Sequence, residues 1–199
     1  MKQLPIYALC TLIATLLIAI MPTDAEAQIY EDTIRLHILA NSDSDEDQAL
    51  KIEIRDRLLD KYGSLLCTTD SIEDAKKTAE DLIFNIEKDA YAWIKELGYD
   101  YGVRATLTEE WYDTREYDGF TLPAGYYTSL RVIIGEGEGK NWWCVMYPPL
   151  CTEIATERAP MDDYVINYSK AEIQLITGGK YKVKFKILED LSRVFSKNG

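Results

Sequence analysis

Apolar and polar positions along this chain change period several times, and each change predicts an element. Ile6 to Met21 is a nearly continuous apolar run of 16 residues, with Lys2 ahead of it and the small-x-small triplet Ala25-Glu26-Ala27 behind it. A charged start, an apolar stretch and a small-residue site is the pattern of an export leader. The run is also at the lower limit for crossing a hydrocarbon core of about 30 Å. Residues 1–27 are therefore expected to be a signal peptide or, if uncut, an N-terminal membrane anchor, with the mature chain starting near Gln28. Ile34 to Ala40 alternates, Ile34, Leu36 and Ile38 against Arg35, His37 and Leu39, which predicts a strand.

Past Asp43-Ser44-Asp45-Glu46-Asp47 the spacing turns helical: Leu50, Ile54, Leu58 and Leu59 share a face, acidic residues sit at the start, and Gly63 is expected to close the helix. Asp70 and Glu73 open a longer amphipathic stretch, from Ile72 through Ala79, Ile86 and Ile94 to Leu97, with Gly98 as its stop. From Tyr99 the period is two again through Leu107, and further strands are predicted over Tyr126–Ile134 and Trp142–Tyr147. The glycines of Gly135-Glu136-Gly137-Glu138-Gly139-Lys140-Asn141 suit a hairpin loop joining the last two strands. The order predicts an α+β fold, an antiparallel-rich sheet with two helices packed on one face. A stage of the chain over 28–154 forms this domain, and 155–199 is read as a C-terminal extension. Its end, 180–199, carries six basic residues against two acidic ones. Ile187, Leu188, Leu191, Val194 and Phe195 share one helical face there, giving a basic amphipathic segment that closes the core or rests on an anionic membrane surface.

Charge narrows the partners. The 199 residues hold 34 Asp and Glu against 22 Lys and Arg, a formal charge of −12, which repels phosphate backbones and argues against nucleic acid. Removing a leader leaves Cys67, Cys144 and Cys151. The six residues between Cys144 and Cys151, with Pro148-Pro149 among them, fit either a disulfide or two buried thiols. Two Cys and one His do not complete a structural zinc site, and no metal or cofactor is expected.

The chemistry-bearing motifs are few. His37 is the sole histidine, and no nucleophile elbow or zinc-protease helix accompanies it, so a hydrogen-bonding role toward a neighbouring carboxylate is the expectation and no catalytic residue is assigned. Asn41, Asp43, Asp45 and Asp47 alternate like the start of a calcium loop, but neither register supplies the glycine and glutamate that loop needs, which leaves a capped helix start. Gly139-Lys140 lacks the spacing and the Ser or Thr of a phosphate loop. Trp142 and Trp143, adjacent on a strand, must point to opposite faces. One can be core while the other meets solvent, a helix layer or a partner. A recognition surface is accordingly expected around Trp142, Trp143, Pro148 and Pro149, together with His37, Asn41 and Asp43 at the end of the first strand.

Three segments carry a family resemblance: Ile34-Arg35-Leu36-His37-Ile38-Leu39-Ala40-Asn41-Ser42-Asp43-Ser44 with Asp47-Gln48, Leu50-Lys51 and Arg55-Asp56; Pro123-Ala124-Gly125 with Leu130-Arg131-Val132; and Gly135 through Cys151. In these the chain resembles stage II sporulation protein R of endospore-forming bacteria, while 155–199 shows little to match. The resemblance implies a protein secreted across the forespore membrane into the septal intermembrane space. There it would activate a membrane-embedded aspartic protease, stage II sporulation protein GA, which processes pro-sigma-E in the mother cell. Two other classes stay open on the residues alone, an extracytoplasmic hydrolase using Cys and His37 or carboxylates, and a membrane-surface module working through the basic tail.

Overall fold

The computed structural model describes residues 4–21, 23–67, 69–117, 120–148 and 168–178. The chain divides into two compact units, one of residues 1–29, 112–125 and 170–199, the other of residues 30–111 and 126–169. The basic segment 180–199 and Pro149 lie outside the described residues.

In the larger unit, strand β1 (Ile34–Leu39) leads into helices α3 (Asp45–Cys67) and α4 (Ile72–Glu96), then strands β2 (Val103–Tyr112), β5 (Gly125–Ile134) and β6 (Asn141–Tyr147). The helix ends follow from local chemistry. Ser44 accepts from the Asp47 amide at 3.1 Å, and Asp45, Glu46 and Asp47 place negative charge in the first turn of α3. Ser71 caps α4 by accepting from the Asp74 amide. At the other end Gly98, at φ +87°, lets the Tyr99 amide reach Ile94 O at 3.0 Å and its own amide reach Lys95 O at 3.1 Å, which closes the helix with a left-handed glycine. Gly63 does not end α3. The helix runs on to Cys67, because the Gly63 site is buried and needs no side chain, while the stop signal a glycine gives requires a positive φ that Gly63 lacks.

Leu36 and Ile38 of β1, Leu130, Val132 and Ile134 of β5 and Cys144 and Met146 of β6 form one core with Leu50, Ile54 and Leu58 of α3 and Ala79, Ile86, Ala90 and Ile94 of α4. Both helices thus lie on one face of the sheet, and the fold is α+β as expected. Small alanines on α4 let it approach closely, and Arg57 with Glu96 at 3.2 Å and Lys61 with Asp89 tie α3 to α4.

Strand order departs from a meander. The sheet runs β2-β5-β1-β6, with β1 parallel to β5 and antiparallel to β6. The Gly135 amide donates to Gly102 O at 2.9 Å, joining the end of β5 to the residue before β2 in antiparallel sense. Because β1 lies between β5 and β6, residues 135–140 are not a hairpin turn. They cross over the C-terminal end of β1. The crossing needs glycine three times: a Cβ would lie 2.3 Å from Asn41 Oδ1 at Gly135, 2.6 Å from Ile133 Cγ2 at Gly137, and 2.2 Å from the Ser42 carbonyl oxygen at Gly139. Strand β2 starts at Val103, later than the alternation of Tyr99 and Tyr101 implied, and continues past Leu107 to Tyr112.

The smaller unit holds α1 (Leu4–Ile20), most of α2 (Asp24–Glu31), the short antiparallel pair β3 (Arg115–Tyr117) and β4 (Phe120–Leu122), and α5 (Lys170–Thr177), which packs on β4. Thr23 and Glu26 open α2 reciprocally: the Glu26 amide donates to Thr23 Oγ1 at 3.3 Å and the Thr23 amide to Glu26 Oε2 at 2.5 Å. Among the described residues no helix is long and apolar enough to cross a membrane.

The crossing makes a sharp prediction. Gly139→Ala presses a methyl group onto backbone and should destabilise the fold by about 1–3 kcal/mol, whereas Gly102→Ala, where a Cβ meets nothing within 4 Å, should change stability little. Urea denaturation of both variants decides it, and equal midpoints would show that the loop yields freely.

Candidate functional site

The residues singled out by sequence fall into two groups at the two sides of β1. At its C-terminal end Asn41, Ser42, Asp43 and Asp47 hold the glycine loop. Asn41 Nδ2 donates to Asp47 Oδ2 at 2.9 Å and Ser42 Oγ to the same oxygen at 2.5 Å. Asn41 Oδ1 accepts from the Glu136 amide at 3.1 Å, and Asp43 Oδ1 from the Lys140 amide at 2.7 Å. The Gly139 amide donates to Ala40 O at 2.9 Å and that of Glu138 to Asn41 O at 3.2 Å. Lys51, 4% exposed, donates to Gln48 Oε1 at 2.7 Å and to Lys140 O at 2.8 Å, while Gln48 Nε2 donates to Ser42 O at 2.9 Å. Of the calcium-like alternation, Asn41, Asp43 and Asp47 are engaged in this contact. Burial pushes the Asp47 carboxyl up, but hydrogen bonds from Ser42, Asn41 and Tyr101 outweigh it and hold the group below its ordinary value. Burial lowers the Lys51 ammonium, against the attraction of Asp43.

The second group lies on the sheet face away from the helices. His37, 8% exposed, has Nδ1 3.0 Å from Glu110 Oε2 and Nε2 3.0 Å from Asn141 Oδ1. Its ring stacks on Trp143 at 5.6 Å between centroids and 27° between planes. Since β5 separates β1 from β2, the contact to Glu110 reaches over a whole strand, and one imidazole joins β2, β1 and β6. Arg131 of β5 places Nε 3.4 Å from Glu110 Oε1. Burial raises the Glu110 carboxyl, yet hydrogen bonds from His37 and Ser129 and attraction to His37 and Arg131 win, so it ends below the ordinary glutamate value. Beside it, fully buried Arg35 sets its guanidinium over the Tyr127 ring at 5.0 Å.

The two adjacent tryptophans do point to opposite faces. Trp142 packs on the core under the helices, with the Arg55 guanidinium 5.0 Å above its ring, and Trp143 lies against His37. Both are half-buried. The expected recognition residues are therefore not one patch: His37 and Trp143 come together, Asn41 and Asp43 belong to the loop contact, and Trp142 faces the other way. Pro148, joined to Tyr147 by a cis peptide bond, is buried, and Pro149 is outside the described residues. Glu110 was not singled out, and Arg131 and Asn141 were named only within the segments that carry the resemblance. The alternation read for β2 stopped at Leu107, three residues short of Glu110, and only strand order reveals that β2 and β5 share a face with His37.

Chemically, the His37 ring is engaged at both nitrogens, which makes it a strap between strands and not a base offered to a substrate. Cys144 is disulfide-bonded. The side chains of Cys67 and Cys151 lie outside the described residues, so the pairing with Cys151 is a proposal, and peptide mapping without reductant should recover 144 and 151 in one linked fragment. Linkage to Cys67 would replace it.

Glu110→Gln keeps the shape and removes the charge. A depressed folded-state value means that the charge stabilises the fold above the unfolded-state value, near 4.5, and that this is lost as pH falls through the folded-state value. Wild type should resist urea better than Glu110→Gln at neutral pH, with the gap closing on acidification. A constant gap would assign the effect to packing alone.

Residues 30–157 match the family model described as stage II sporulation protein R. Stage II sporulation protein R of Bacillus subtilis (strain 168) is 36% identical over 123 residues, which is 62% of this chain and 55% of that protein. The chain thus spans little more than half the length of this curated relative. No solved structure matches the chain.

Proposed function

The chain belongs to the stage II sporulation protein R family, and from that premise we propose that it is a secreted sporulation signal that activates a membrane-embedded aspartic protease, stage II sporulation protein GA. In this reading it crosses the forespore membrane, engages the protease in the septal intermembrane space, and so triggers processing of pro-sigma-E in the mother cell. It does so by binding and has no catalytic step of its own. The observation that supports the reading is a convergence. The family match begins at residue 30, where the larger compact unit also begins, and residues 89 to 97 positions apart in the chain, from 41–51 and 135–140, meet in one hydrogen-bonded contact. A binding module needs such a preorganised frame, because ordering that is complete before binding does not weaken the complex.

A signal of this kind shifts its partner between an idle and a competent state through differential affinity for the two. Purified protein without its leader, added to vesicles carrying the protease and pro-sigma-E, should raise cleavage, and the effect should saturate at one equivalent per protease site. Complete conversion by substoichiometric protein, persisting after its removal, would favour the hydrolase reading. Unchanged cleavage at saturating protein would sink the proposal outright.

Export is proposed on the leader pattern of residues 1–27. Mass spectrometry of protein recovered from the intermembrane space should find a chain starting near Gln28. An intact N-terminus would identify a tethered signal instead.

A further inference from the structure

We propose that the sheet face away from the helices is a docking surface for an acidic segment of the partner, centred on Arg104 and Arg131. Val103, Ala105 and Leu107 of β2 pack into the core under the helices, so Arg104, Thr106 and Thr108, between and beyond them, point to the opposite face, where all three are exposed. Arg131 likewise lies between the core residues Leu130 and Val132 of β5 and keeps 36% of its side chain exposed. On β6, exposed Asn141 and half-buried Trp143 extend the same face past His37. The accessible groups of this face thus lie on β2, β5 and β6, with Arg35 and His37 of β1 buried between them.

Its charge is the reverse of the molecule's. Its accessible charges are the cations Arg104 and Arg131 against the carboxylate Glu110, while Arg35 is fully buried beneath and adds nothing to the surface. Helices α3 and α4, on the other face, carry thirteen acidic residues against eight basic ones, and the chain as a whole is at −12. The Glu110 carboxylate is already committed to His37 and Arg131. Arg104 makes no ion pair among the described residues. A guanidinium left without a counter-charge in an acidic protein presents a planar fork of donors suited to carboxylates. The exposed Thr106 and Thr108 hydroxyls and the Asn141 amide add neutral hydrogen-bonding groups beside it, and Trp143 supplies an aromatic edge. An anionic partner is drawn to this face and repelled by the helical one, so charge alone orients the encounter. Glu136 and Glu138 of the crossing loop bound the surface at the end of β1.

The inference deepens the proposed function by naming the partner's chemistry at the contact, and it rests on that reading. Arg104→Glu reverses one exposed charge, and Lys88→Glu makes the same change in net charge on exposed α4. In the vesicle assay Arg104→Glu should require at least about fivefold more protein for half-maximal cleavage, with Lys88→Glu matching wild type and the difference shrinking as salt screens it. Identical curves for the two variants would overturn the docking surface and leave the activating role standing. If wild type itself fails to activate, the activating role falls, and the surface is judged on titration of the full chain with an oligoglutamate peptide. Amide shifts should then gather at Arg104, Arg131, Asn141 and Trp143 and disappear in Arg104→Glu. Shifts that are absent, or unchanged in that variant, would overturn the surface on its own.

Discussion

Everything in the larger unit depends on β1 lying between β5 and β6. An antiparallel pair joined by a short loop ordinarily closes on itself, but here a third strand occupies the space, and the connection must span its end. A chain crossing the end of a strand meets a row of backbone groups that the sheet leaves without ladder partners, and each must be answered. Residues 135–140 answer them with amides, those of Glu136, Glu138, Gly139 and Lys140, laid on Asn41 Oδ1, Asn41 O, Ala40 O and Asp43 Oδ1. So close an approach leaves no room for a Cβ at Gly135, Gly137 or Gly139. The contact also fixes α3, because Asp47 and Lys51, which hold the loop from below, stand in its first two turns.

The elements were legible along the chain, and their neighbours were not. Periods of two and 3.6 mark β1, α3, α4, β5 and β6 because apolar side chains recur on the face each turns to the helix-covered core, although β1 is buried on its other face as well. Strand order leaves no such mark. The glycines at 135, 137 and 139 satisfy the demands of a tight turn and of a close crossing equally, and adjacency in sequence favours the turn. What separates the two is the other half of the contact: a turn has no use for Asn41, Asp43, Asp47 and Lys51, whose polar groups would otherwise stand in water. The His37 contact was half legible. A carboxylate partner was expected for a histidine on a strand, but Glu110 lies 73 residues away and two strands across, a distance that no spacing rule reaches. The short pair β3 and β4 and helix α5 left too little periodic sequence to be read.

Alternation then turns one sheet into two chemically distinct surfaces. Leu36 and Ile38 of β1 and Leu130, Val132 and Ile134 of β5 sink into an aliphatic core, and the residues between them carry Arg35, His37, Ser129 and Arg131 to the other side. Placing so many polar groups on a largely buried face costs desolvation unless each is hydrogen-bonded. The Glu110, His37 and Asn141 chain meets part of that cost while ordering the strands it touches. A Val or Leu at these positions would serve stability at least as well. Retaining charge there is in keeping with the docking role proposed for the accessible part of this face.

Asn141 connects the two arrangements. It follows Lys140, the last residue of the crossing loop, and its own side chain bonds His37. The loop is held at one end by Asp43 and at the next residue by the polar face, so neither can shift without moving the other. A contact between α3 and a glycine loop is thereby linked to a side chain on the far side of the sheet through one peptide unit. That coupling suits the signalling role proposed above, in which the partner, and not this chain, is left to change shape.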